Sequence, residues 1–113
     1  MAIPVKDAVE MRRKAAEVSA LLEAVGNERR LLILCALVET GEARVGTLSE
    51  AAGLSQSATS QHLAKLREEN VVAFRRDSQT IWYRIADPRV EELFASLHRI
   101  FCRDSNVTKG PKK

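Results

Sequence analysis

At 113 residues and 45% hydrophobic content, the chain has the size and composition of one folded domain with a single core, which excludes wholesale disorder. Its net charge of +3 permits a polyanionic partner without requiring one. The longest unbroken apolar run, Leu31 to Val38, is too short to span a bilayer, and Met1 to Lys14 holds no apolar signal segment, so a soluble, cytoplasmic protein with no membrane partner is expected.

The first predicted element is a helix from about Val5 to Val25, with Val18, Leu21, Leu22 and Val25 stacked on one face. Gly26 suits its C-terminal end, and Asn27 suits the N-cap of a second helix over about Glu28 to Glu39. That second helix is apolar on so much of its surface that a central position, covered on several sides, is expected before Gly41 stops it. All five aromatic residues lie at or beyond Phe74, so the core built by these early helices must be aliphatic.

Thr47 and Glu50 have the spacing of a capping box, predicting a short helix from Thr47 that Gly53 ends. Ser55 is a natural N-cap for a further helix to about Asn70, and two short helices joined by a glycine-containing turn form a helix-turn-helix. From Val71 the composition turns β-branched and aromatic. Two alternating runs around the turn formers Asp77 and Ser78 predict a β-hairpin, the wing of a winged helix-turn-helix. Asp87-Pro88 then opens a last helix with Val90, Leu93, Phe94, Leu97 and Phe101 on one stripe. The fold expected is mainly α with one small hairpin, in the order α-α-α-α-β-β-α. A DNA-binding and dimerisation domain over 1–104 is followed by a flexible basic tail over 105–113.

The second helix of the helix-turn-helix opens with Ser55, Gln56, Ser57, Thr59, Ser60, Gln61 and His62, a stretch without an acid and rich in short hydrogen-bonding side chains. Such side chains at the N-terminal half of a helix can donate and accept at base edges in the major groove of double-stranded DNA. Lys65 and Arg67 follow, and Arg75, Arg76 and Gln79 extend the candidate surface onto the wing. A solvated polar face is the plain alternative for any one of these residues. The complete helix-turn-helix with its wing favours DNA. His62 fits a phosphate contact or local packing better than a metal, since no other His or Cys lies three or four positions away.

Two cysteines, Cys35 and Cys102, are far apart and match no compact metal pattern, leaving inert packing or a reversible switch. His98, Arg99 and Arg103 surround Cys102 in sequence, and positive charge favours the reactive thiolate. Cys35 sits in an aliphatic stretch that raises a thiol pKa. No metal site, no cofactor and no catalytic constellation is apparent, so the chain is not expected to be an enzyme.

The residues Asn27 to Leu34, Leu54 to Leu63 and Gln79 to Ile85 together resemble the ArsR family of winged-helix repressors, with the likeness running from about Leu21 to Cys102. The resemblance implies a homodimer through the first and last helices, bound to an inverted-repeat operator. Many such repressors sense metals, yet Arg44-Val45-Gly46-Thr47-Leu48 has no thiol where a Cys-x-Cys motif would stand. The last helix offers only His98, with Asp87, Glu91 and Glu92 in no matching pattern. Cys35 and Cys102 instead fall on the positions used by the dithiol branch (the BigR, SqrR and HlyU type), which responds to reactive sulfur or oxidants. That branch implies a disulfide or sulfur-bridged link that lowers operator affinity; the charge around Cys102 makes it the expected attacking sulfur, and the aliphatic setting of Cys35 suits it to resolve. A metal-responsive repressor, or a winged-helix regulator with inert cysteines, are the alternatives.

Overall fold

A computed structural model describes residues 5–108, with side chains from 6 to 102. The elements are α1 (Val5–Val25), α2 (Glu28–Thr40), α3 (Val45–Ala52), α4 (Gln56–Glu68), β1 (Val72–Asp77), β2 (Thr80–Ile85) and α5 (Pro88–Thr108). The two strands form one antiparallel hairpin in which Val72 faces Ile85 and Phe74 faces Tyr83. This is the winged helix-turn-helix order expected from the sequence.

The punctuation residues act as their chemistry requires. Asn27 Oδ1 accepts from the N–H groups of Arg29 and Arg30, at 2.9 and 3.2 Å, satisfying two open donors at the start of α2. Asp87 Oδ1 accepts from Arg89 N at 2.9 Å, with Pro88 in the first helical position of α5. Gly53 ends α3 in the left-handed conformation at φ 66°, where an L side chain would be strained. Asn70 takes the same region at φ 63° just past α4 and turns the chain into the hairpin.

One boundary differs from the expectation. Helix α3 begins at Val45, two residues before Thr47, and Arg44 occupies its N-cap without a side-chain bond. The cause lies outside the local sequence. Ala43 is pinned to β2 by two backbone bonds with Tyr83, at 3.0 and 2.8 Å, and this fixes where the chain leaves extended geometry. Ser49 then donates to Val45 O at 2.8 Å, so the first turn is supported from inside.

The core is aliphatic apart from Phe94. Ile33, Leu34 and Leu37 of α2 pack with Leu48, Leu63, Leu66, Val71, Val72 and Val90, all essentially without solvent exposure. Helix α2 is less enclosed than its composition suggested, because Leu31 and Leu32 remain exposed on one side. Helix α1 joins the core only through Ala24 and Val25, with Leu21 half-buried, while Leu22 stays 51% exposed. The stripe of α5 divides: Val90 and Phe94 are buried, whereas Phe101 is 76% exposed beside Ile100. Helix α5 also runs past Cys102 to Thr108; the remainder of the expected tail, 109–113, lies outside the described residues.

The radius of gyration is 16.1 Å, against about 13 Å for a compact chain of this length.

Candidate nucleic-acid interface and cysteine pair

Helix α4 is oriented by what it buries. Thr59, Leu63 and Leu66 recur at i, i+4 and i+7 and face the core. Gln56, Ser57, Ser60, Gln61 and Lys65 are consequently left on the exposed side. Ser55, the N-cap, accepts from Ala58 N at 3.0 Å through its hydroxyl. These exposed residues are part of the set anticipated for base and phosphate contact.

Three anticipated contact residues are placed differently. Thr59 is fully buried, and its hydroxyl donates to Ser55 O at 2.9 Å, so it braces the first turn of α4 from within. His62 is half-buried, and its Nδ1 accepts from Arg30 Nε at 3.1 Å. Burial, with the Arg30 charge adding, holds the imidazole pKa below its ordinary value, so His62 is a neutral packing partner of α2. Arg75 is committed to Glu42 by a bidentate pair at 2.8 and 2.9 Å, which cancels its charge toward an incoming anion. For His62 and Arg75 the partner lies elsewhere in the fold, 32 and 33 positions away, whereas Thr59 is turned inward on its own helix and bonds four positions back.

The wing completes the surface. Arg76 and Gln79 are exposed, Gln79 in the two-residue turn after Ser78, whose φ of 58° suits the tight hairpin. Arg67, exposed on the last turn of α4, lies over the Phe74 ring at 4.6 Å and ties that helix to the root of the wing. Phe74 meets Tyr83 edge-on at 5.7 Å between centroids. An open cleft of about 500 Å³ separates wing from helix, bordered by Arg44, Gly46, Gln56, Ser60, Gln79 and Thr80. Val45, Ile81 and Tyr83 add apolar wall, while the polar part carries Arg44, Gln56, Ser60 and Gln79 and no carboxylate. A cation and amide and hydroxyl groups on its rim, with no carboxylate, suit contact with a phosphate backbone.

Two arginines that sequence reasoning left without a role hold the reader in place. Arg29 Nη1 donates to Ala52 O at 2.6 Å and satisfies an open carbonyl at the end of α3. Arg30 donates both to His62 and, through Nη1, to Ala24 O at 2.9 Å, so one side chain joins α1, α2 and α4. No local pattern identifies such contacts.

The cysteines lie on α2 and α5, which pack against one another, and both are half-buried free thiols. Burial raises the Cys35 pKa, with neighbouring Cys102 and Glu39 adding to the effect, in line with its aliphatic surroundings. One turn along each helix, His98 Nε2 meets Glu39 Oε2 at 2.9 Å. The helices therefore pass each other with 39 opposite 98, and Cys102 is near enough to Cys35 to act on its thiol. The positive surroundings expected for Cys102 are only partly free: His98 is engaged by Glu39, Arg99 donates to Ser96 Oγ at 3.3 Å, and the Arg103 side chain is outside the described residues. Among the described residues no cluster of three or more His, Cys, Asp or Glu is placed to hold a metal, and no helix is long and apolar enough to cross a membrane.

A polar helix face beside a cationic wing defines a winged helix-turn-helix DNA-binding regulator. Known proteins agree. Residues 27–73 match the family described as "Bacterial regulatory protein, arsR family". The transcriptional activator HlyU of Vibrio cholerae is 45% identical over 94 residues, 83% of this chain and 86% of that protein. The biofilm growth-associated repressor of Xylella fastidiosa is 39% identical over 93 residues, 82% of this chain and 81% of that protein. The crystal structure of the repressor BigR from Xylella fastidiosa superposes with a TM-score of 0.76 at 38% identity, covering 84% of this chain and 96% of that one. The chain belongs to the ArsR family and is a DNA-binding transcriptional regulator.

Proposed function

We propose that the protein is a homodimeric, cytoplasmic repressor that binds an inverted-repeat operator and releases it when Cys35 and Cys102 become linked. Its reading surface is Ser55, Gln56, Ser57, Ser60, Gln61 and Lys65 on α4, with Arg67, Arg76 and Gln79 flanking them. The observation that supports the sensing half is that two free, half-buried thiols lie on α2 and α5, helices that pack against one another. Among similar solved structures, one of Vibrio cholerae HlyU is described as its reduced form, which supports thiol redox chemistry on this fold. The dimer rests on the apolar side chains left exposed on α1, α2 and α5, a surface that a second copy would cover.

The chemistry balances with a polysulfide as the two-electron oxidant. The Cys102 thiolate attacks a polysulfide sulfur, one S–S bond breaks, and a shortened polysulfide anion leaves. Cys35 then attacks Cys102 Sγ, hydrosulfide leaves, the disulfide closes and the Cys35 proton passes to solvent. Attack further along a longer sulfur chain leaves sulfur atoms in the bridge and relaxes the requirement that the Cα atoms lie within about 7 Å. A link between α2 and α5 changes the support of α4, and with it the spacing of two readers that must meet half-sites about one helical turn apart.

The test is duplex binding by wild type, Cys35→Ser and Cys102→Ser, before and after polysulfide treatment, with mass spectrometry of the products. Wild type is expected to lose at least about tenfold in affinity, a coupling of roughly 1.4 kcal/mol, while both variants retain DNA. Loss of DNA by either variant on treatment would refute the dithiol mechanism.

A further inference from the structure

Glu42, Ala43 and Arg44 run beside β2 as a one-bridge third strand. Ala43, the partner of Tyr83, faces inward and is buried, so strand alternation sends Glu42 and Arg44 to the outer face. That face also carries Trp82 and Arg84 of β2, and Arg75, the register partner of Trp82. The guanidinium groups of Arg44 and Arg75 both lie over the Trp82 ring, 5.9 and 5.8 Å from its centroid.

The two arginines differ in their partners. Arg75 is held by both oxygens of Glu42, with Asp77 a further 3.9 Å contact. Its hydrogen bond to Arg75 holds the Glu42 carboxyl below the usual range, and Arg84 reinforces this, so Glu42 remains ionised and the pair carries no net charge. Arg44 forms no salt bridge among the described residues, is exposed, and borders the cleft between wing and α4. Stacking over an indole restricts a long side chain before any ligand arrives and leaves its planar donors available for phosphate oxygens. As the N-cap residue of α3, Arg44 also sits at the positive end of that helix.

We propose that Arg44, seated over Trp82, is the cation that meets the phosphate backbone in this cleft, and that Glu42 keeps Arg75 out of that role. The inference rests on the DNA-binding reading and assigns the contact to a residue of the 41–44 connection, which belongs to neither the reader helix nor the hairpin. Only a cation that neutralises a phosphate releases a counterion, so the two arginines must differ in the salt dependence of binding.

The experiment uses the reduced full chain and a mixed-sequence DNA duplex, with affinity measured between about 50 and 200 mM salt. Arg44→Gln is expected to flatten the slope of log K against log salt by about 0.9 per bound chain, and Arg44→Lys, which keeps the charge, to preserve it. The double variant Glu42→Gln/Arg75→Gln removes a neutral pair and is expected to keep the wild-type slope. A wild-type slope in Arg44→Gln, or a loss in the double variant as large as that of Arg44→Gln, overturns the proposal. Circular dichroism of each variant separates misfolding from lost contact, because a folded chain with a changed slope is required. A wild-type chain that shows no salt-dependent duplex binding would instead sink the DNA-binding reading itself.

Discussion

The reader and the helical flank are built from the same residue types, yet they reach different degrees of completion within one chain. Around α2, α3, α4 and the hairpin, Ile33, Leu34, Leu48, Leu63, Leu66 and Val71 are fully covered, and Arg29 and Arg30 satisfy carbonyls at the ends of neighbouring helices. On α1 and the outer part of α5 the apolar side chains Val9, Met11, Leu22, Ile100 and Phe101 face solvent. A 21-residue helix packed only through its last turn gains little from its own chain, and helices in water depend on tertiary packing for most of their stability. The reader is a finished unit. The flank leaves apolar side chains uncovered within the chain.

The sharpest way to test the finished unit uses the buried phenylalanine of α5. Phe94→Ala empties a fully buried site and is expected to destabilise the chain by about 3–5 kcal/mol, at any protein concentration, in denaturant unfolding. A loss below about 1 kcal/mol would mean that the core around α5 is not the closed unit described.

Arg30 offers a smaller effect inside the finished unit. Removing it with Arg30→Ala deletes its bonds to His62 Nδ1 and Ala24 O, and a loss of about 1–3 kcal/mol is expected in the same measurement. Arg29→Ala, which frees only the Ala52 carbonyl, should cost less.

The smallest effect concerns pH. Folding lowers the His62 pKa, chiefly through burial and secondarily through Arg30, so the unfolded chain binds the proton more readily. The contribution of His62 is therefore complete above the ordinary histidine value of 6.5 and is lost as pH falls below it. Unfolding free energy measured from pH 7.5 down to about 5.5, above the carboxylate range, should decline in wild type and decline less in Arg30→Ala, where the burial contribution remains. Equal slopes in both would remove Arg30 from this role.

Legibility in the sequence follows the same division between local and distant causes. Asn27, Ser55, Asp87-Pro88 and Gly53 announce helix ends because a cap needs only its own neighbouring backbone. The hairpin is legible from alternation and a two-residue turn. The start of α3 is not, because it is set by Ala43 meeting Tyr83 across 40 positions. Within the candidate surface, the outward polar residues of α4 could be named from composition, but Thr59 could be separated from Ser60 only once the buried face of the helix was known. The Glu42–Arg75 pair hid a neutralised arginine among the cations counted on the wing, while Arg44, in a connection without periodicity, was passed over.

The claim that one half of this molecule is complete and the other awaits a second copy is tested most directly by sedimentation equilibrium of the reduced full chain, beside Phe101→Asp. The account predicts twice the 12.6 kDa chain mass for wild type, and a folded, concentration-dependent shift toward the single chain for the variant, since a buried carboxylate without a partner is costly. A wild-type protein that remains a stable, fully helical monomer across the micromolar range would contradict it.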